Sequence, residues 1–338
     1  MAADAVSAPT GDPAALPVEP GRPAVVRAPA GEGPGWVRAH RAALLSAVTR
    51  RGAVLVRGVG FADSAQVAAV FRALAGELMA DREPFAPRVG HGDGVYSSSR
   101  WPGDQPMCMH HELSYALRFP RLMLFACRTA PVAGGVTGLA DSRALLEALP
   151  PALVDRLERE GWILTRSYRE DLGVSWSAAF DATDRDDVAR YCRDNAIAHE
   201  WRPDGSLLTR QRRPAVIRHP VTGERCWFNQ LAFLNEWTMD QDVRAYLVDV
   251  YGAEALPFTT SFGNGDPVGA DVVQLINDAY EAHTVREPWR DGDLLVVDNV
   301  RTAHSREPYS GPREVLVGMG DPVDLRDCLP PGAPSLTL

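Results

Sequence analysis

Two blocks far apart in the chain, MCMHHELSYA (107–116) and DNVRTAHSREPYSGPRE (298–314), constrain the fold more than any other feature. His110 and Glu112 stand at i and i+2, positions that project to the same side of an extended strand. His304, on a second strand, can close a face with them, so distant strands must become neighbours. Two imidazoles and one carboxylate on one face of an octahedron leave three positions open, which is the ligand set of a non-haem Fe(II) oxygenase.

His111 is the weaker candidate of the adjacent pair, because the residue two positions on is Leu113 rather than a carboxylate. A lone HxE is common by chance and ordinarily marks polar residues at a strand edge. The downstream block changes that reading. DLLVVDNV (293–300) reads as a strand, followed by His304, a Ser310-Gly311-Pro312 turn, Arg313 and the strand EVLVGM (314–319). An arginine nine residues past His304, across a tight turn, can aim its planar fork at a carboxylate near the metal. A dicarboxylic co-substrate such as 2-oxoglutarate offers one. Arg306 in HSREP is the competing candidate for that role.

With these blocks, GGVTGLADSR (134–143), HPVTGERCWFNQ (219–230) and, more weakly, AVLVRGVGF (53–61), the chain resembles the taurine dioxygenase-like (TauD/TfdA) family of Fe(II)/2-oxoglutarate-dependent oxygenases. Within it, the pattern is most similar to the branch of the syringomycin-pathway amino acid hydroxylase. The resemblance runs from about residue 17 onward, with the blocks in the expected order. It implies that His110, Glu112 and His304 bind the metal, that Arg313 pairs with the far carboxylate of 2-oxoglutarate, and that the Thr137 hydroxyl assists it. Fe(II), 2-oxoglutarate as co-substrate and O2 follow as cofactors. Many relatives carry aspartate where this chain has Glu112; halogenases of the superfamily carry a small residue there, so Glu112 argues against halogenation. Gly134 and Gly135 are expected to serve backbone geometry, since no phosphate-loop pattern follows. Asp141, Ser142 and Arg143 read as a helix start.

The resemblance implies an α+β fold: a double-stranded β-helix, or jelly-roll-like barrel, with flanking helices and a helical insertion over the barrel mouth at roughly 142–292. Residues 1–16, rich in Ala, Pro and Gly, read as a disordered leader, and 17–338 as a single domain. Helical spacing is expected at 36–51, 64–80, 151–161, 185–195, 240–250 and 269–283. Strands are expected at 53–58, 94–98, 121–127, 214–218, 225–229, 293–300 and 314–319. Trp176, Phe180, Trp201 and Trp227 are candidates to cover the site, although large rings more often serve packing. Gln105 and Asn229 carry amides able to read a substrate's polar group. His91, His199, His219 and His283 lack ligand spacing.

Composition narrows the alternatives. A net charge of −9 provides no basic footprint for nucleic acid or an anionic membrane. No apolar run approaches about 20 residues, so no membrane span is expected and the chain reads as cytoplasmic. All 35 basic residues are arginine, which excludes a lysine Schiff base and a phosphate-loop lysine. The five cysteines lack paired spacing and read as reduced thiols, Cys108 as a core residue. The expected activity is hydroxylation of an unactivated C–H bond in an amino acid or amino-acid-derived intermediate, free or tethered to a carrier protein. Desaturation, epoxidation or cyclisation are alternative outcomes of the same cycle. A zinc hydrolase, or a non-catalytic metal-binding barrel acting as sensor or scaffold, are readings of other classes. Oligomeric state is not legible.

Overall fold

The computed structural model describes residues 23–29 and 31–338; the leader expected at 1–16 lies outside them. A six-stranded sheet has the order Ala24–Arg27, Ala53–Arg57, Leu294–Asp298, Arg118–Thr129, Glu314–Asp324, Val95–Ser97. Its first pair is parallel and the rest antiparallel. A four-stranded antiparallel sheet, ordered Thr284–Arg286, Gly138–Asp141, Thr302–Arg306, Met107–His110, faces it.

Strand alternation explains the layering. Odd positions of the large sheet, Phe125, Val297 and Val317, share a core with Met109, Leu139 and Ala303 of the small sheet. Even positions, Leu124, Val296 and Leu316, turn to the other face and pack on Val37, Leu44 and Phe71 of the N-terminal helices. A strand buried on both faces must be apolar throughout, which is why LLVV at 294–297 shows no alternation. At about 25 cal/mol per Å² of apolar surface, this two-layer burial is the main favourable term in folding.

Four expectations need correction. The large sheet is mixed, the small one antiparallel, and neither closes on itself into a barrel. The segment 142–292 is not merely helical: it carries a four-stranded antiparallel sheet, Phe258–Phe262, Trp162–Tyr168, Leu207–Arg213, Ala198–Trp201, besides helices at Pro151–Glu160, Arg185–Asp194, Gln241–Tyr251 and Ala270–Ala282. Inward-pointing arginines hid those strands. Arg166 and Arg213 are buried in WILTRSY and LLTRQRR, where their guanidinium groups donate to the backbone carbonyls of Glu83, Pro84, Tyr115 and Asn195. Finally, the helix expected at 36–51 is two, Gly33–Ala39 and Arg41–Arg51, broken at His40, and the one expected at 64–80 ends at Leu74. Among the described residues no helix is long and apolar enough to cross a membrane.

Candidate metal centre and co-substrate pocket

His110 ends the strand Met107–His110, and its register partner on Thr302–Arg306 is His304. The strand stops there. Glu112 sits in a turn whose next residue, Leu113, has φ +53°, so the i, i+2 argument from an extended strand does not by itself account for its position. The turn is held from outside. Asn299 accepts from the Glu112 amide (2.8 Å) through Oδ1, while its Nδ2 donates to the Glu112 and Pro120 carbonyls (2.9 and 2.8 Å). One buried amide thus substitutes for a missing strand partner.

Glu112 Oε2 lies 3.9 Å from both His110 Nε2 and His304 Nε2, and all three residues are buried. They form a group whose candidate ligand atoms lie within 4.8 Å of one another. His110 Nδ1 meets the Cys108 carbonyl at 2.8 Å, which assigns the proton to Nδ1 and leaves the Nε2 lone pair toward Glu112. Burial, opposed by the nearby carboxylate, lowers the pKa of His110. Burial, and then the proximity of His110, hold that of His304 well below the usual imidazole value. Both imidazoles are therefore neutral, as a metal ligand must be. His111 faces elsewhere: its ring nitrogens meet the Asn299 carbonyl (2.6 Å) and Ser142 Oγ (3.3 Å), and burial pushes its pKa down to about 4.

Arg88 completes the centre. Its Nη2 donates to Glu112 Oε2 (2.9 Å), its Nε to Ser99 Oγ (3.2 Å), and Asp81 lies 3.7 Å from Nη1. Burial opposes its charge, but Glu112 and Asp81 outweigh that and raise its pKa. Nothing in the local sequence marks Arg88. Asn299 was visible only as part of the DNVRTAH block, without a role.

The cavity beside the three candidate ligands is lined by Ser98, Ser99, Thr137, Arg306 and Arg313 among others. Arg313 donates only weakly, to the Gly135 carbonyl (3.4 Å) and Ser98 Oγ (3.3 Å), and among the described residues no carboxylate pairs with it. Burial and the charge of Arg306 lower its pKa to about 10, which still leaves it cationic at neutral pH. Arg306, by contrast, spends Nη1 and Nη2 on the carbonyls of Trp101, Pro102 and Gln105. It fastens a loop. Gly134 and Gly135 have φ of +69° and +66°, and a Cβ on Gly134 would lie 2.1 Å from the Pro308 carbonyl oxygen, so only glycine lets Ala133–Gly134 pair with Tyr309–Ser310 beside Arg313.

Neither candidate substrate reader lines this cavity. Asn229 is buried, with Nδ2 donating to the Ala215 carbonyl and Oδ1 accepting from the Leu231 amide, so its amide braces the backbone. Gln105 has its side chain exposed on the loop that Arg306 fastens. The expected aromatic cover is also elsewhere: Phe180 belongs to a satellite core against which Trp176 and Trp201 pack, and Trp227 to the main core. Phe233 instead stacks on the His110 ring (4.8 Å between centroids), with Phe85 edge-on to both and Trp101 against Phe85.

A family model described as taurine catabolism dioxygenase TauD, TfdA family matches residues 18–319. The chain is 31% identical over 276 residues to the dapdiamide synthesis protein DdaC of Enterobacter agglomerans, covering 82% of this chain and 84% of that protein. It is 28% identical over 300 residues to a clavaminate synthase-like protein of Arabidopsis thaliana, covering 84% and 86%. The crystal structure of the PvcB protein from Pseudomonas aeruginosa superposes with a TM-score of 0.51 at 15% identity, covering 92% of this chain and 89% of that one.

Proposed function

The chain belongs to the TauD/TfdA family and is a dioxygenase using Fe(II), 2-oxoglutarate and O2; from that premise we propose that it hydroxylates an unactivated C–H bond of an amino acid or amino-acid-derived intermediate in a natural-product pathway. The carrying observation is the buried His110, Glu112 and His304 group opening onto a cavity that holds the unpaired guanidinium of Arg313. The substrate class rests on the likeness to a dapdiamide synthesis protein. We read the two facing sheets as the frame of a double-stranded β-helix, and the substrate as a small molecule, free or tethered to a carrier.

The residues fit the implied group. Two neutral imidazoles and one carboxylate are a facial donor set for non-haem iron, with three positions left for co-substrate and oxygen. A half-buried arginine without a carboxylate partner suits a dianionic co-substrate, since a partly desolvated charge gains from a counter-charge. Bound iron, with 2-oxoglutarate and O2, supplies the oxidative decarboxylation that yields succinate and CO2 and drives C–H oxidation. The protein's part is positional. His110, Glu112 and His304 would hold the metal, Arg313 and Thr137 the far carboxylate, and Phe85 and Phe233 keep water from the His110 face. A zinc hydrolase would have no use for the Arg313 pocket.

Anaerobic addition of Fe(II) and then 2-oxoglutarate should produce a visible charge-transfer band, and a panel of amino acids and carrier-bound aminoacyl groups should reveal succinate release coupled to hydroxylation. Absence of the band would remove the ligand assignment. A band without coupled turnover on any amino-acid-derived substrate would remove the substrate class and leave the centre standing.

A further inference from the structure

Trp289 is buried, and its indole Nε1 lies 3.3 Å from Thr137 Oγ1, across 152 residues of chain. An indole N–H can only donate. The Thr137 hydroxyl must therefore accept from it, which commits an oxygen lone pair and leaves the hydroxyl proton to point elsewhere. Thr137 lines the cavity that holds Arg313, so a proton turned away from Trp289 is available to an anion there.

The mounting of Trp289 is rigid. Arg57, 2% exposed, donates to the Pro288 carbonyl (2.7 Å) and pairs with both Glu287 and Asp293, on either side of Trp289. Asp293 also accepts from the Arg290 amide (2.7 Å), and the Asp293 carbonyl accepts from the Cys127 amide (2.9 Å) in the large sheet. The turn between the Thr284–Arg286 and Leu294–Asp298 strands is thus fastened at several points, and the indole is presented at a set angle.

We infer that Trp289 is a positioning residue that orients the Thr137 hydroxyl as a proton donor to the far carboxylate of 2-oxoglutarate. This rests on the assignment of Thr137 and Arg313 to that carboxylate. A hydroxyl free to rotate offers its proton only part of the time; one already engaged as an acceptor is preorganised as a donor, and the ordering has been met in folding rather than in binding.

The test is a double-mutant cycle read by calorimetric titration of 2-oxoglutarate into the Mn(II)-loaded protein, without turnover. Trp289→Phe removes the donor and retains most of the ring volume; Thr137→Val removes the hydroxyl at nearly constant shape. Trp289→Phe should weaken 2-oxoglutarate binding by roughly three- to tenfold, the range of one neutral hydrogen bond. In the Thr137→Val background the same change should have no further effect. Additive losses, or unchanged affinity in Trp289→Phe, would overturn the inference while sparing the Thr137 assignment. Unchanged affinity in Thr137→Val would overturn both. Should Trp289→Phe fold poorly, Arg57→Lys loosens the mounting from outside the pocket, and its loss of affinity must likewise vanish in the Thr137→Val background for the inference to stand.

Discussion

His110 and His304 are register partners on adjacent antiparallel strands, with ring centroids 4.4 Å apart, and Glu112 is equidistant from their Nε2 atoms. Strand pairing therefore brings the three candidate ligands together, within 4.8 Å of one another. Alanine at any of the three should abolish Mn(II) binding measured by electron paramagnetic resonance, with the fold retained. His111→Ala should do the reverse: it should keep the metal site and lower stability by about 2–4 kcal/mol, because two buried partners lose their hydrogen bonds. Mn(II) binding lost in His111→Ala and kept in His110→Ala would show the wrong imidazole was assigned.

Arg313 and Arg306 line one cavity but have different obligations. Arg313→Lys should weaken 2-oxoglutarate binding by roughly 10- to 100-fold, since a point charge replaces a fork with two parallel donors. Arg306→Lys should instead release the carbonyls of the 101–105 loop, seen as faster limited proteolysis there, with co-substrate affinity little changed. The opposite pattern would make Arg306 the anchor.

Asn299→Ala should cost about 2–4 kcal/mol, because the Glu112 amide and the Glu112 and Pro120 carbonyls would lose their buried partner together. Metal affinity should fall with it, since the Glu112 turn loses its brace. Denaturant unfolding and Mn(II) titration on the same sample provide both readings; unchanged metal affinity would remove Asn299 from any role at the centre.

Asp81 carries a pH signature in the metal-free protein. Burial, only partly offset by Arg88 and reinforced by Glu112, pushes its carboxyl from 3.8 up to about 6. Between these values the folded protein keeps a proton that the unfolded chain has lost, so Asp81 makes stability fall as pH rises through that window. Asp81→Asn, a mimic of the protonated form, should lack this component. Its stability relative to the parent should grow by on the order of 2 kcal/mol from pH 4 to pH 7. A difference independent of pH would contradict the raised carboxyl.

Chemically scarce residue types at telling spacings were legible without a structure: His110, Glu112 and His304 as a candidate ligand set that the fold brings together, Arg313 beyond Ser310-Gly311-Pro312, and the apolar strands of the large sheet. They are legible because the motif lies in side-chain identity and short-range order. The sheet inside 142–292 was not, because Arg166 and Arg213 sit inward on its strands and erase the expected alternation. Tertiary structure alone decided the surroundings of the site. Arg88 reaches Glu112, Asn299 brackets the Glu112 turn from 187 residues away, and Trp289 meets Thr137 across 152. Each is a polar contact between segments with no shared local pattern, made only once the chain is folded. Conversely, Asn229 and Gln105 offered suitable amides, yet packing committed one to the backbone and left the other on the surface. Residue type sets what chemistry is available; strand register and burial decide which groups can take part in it.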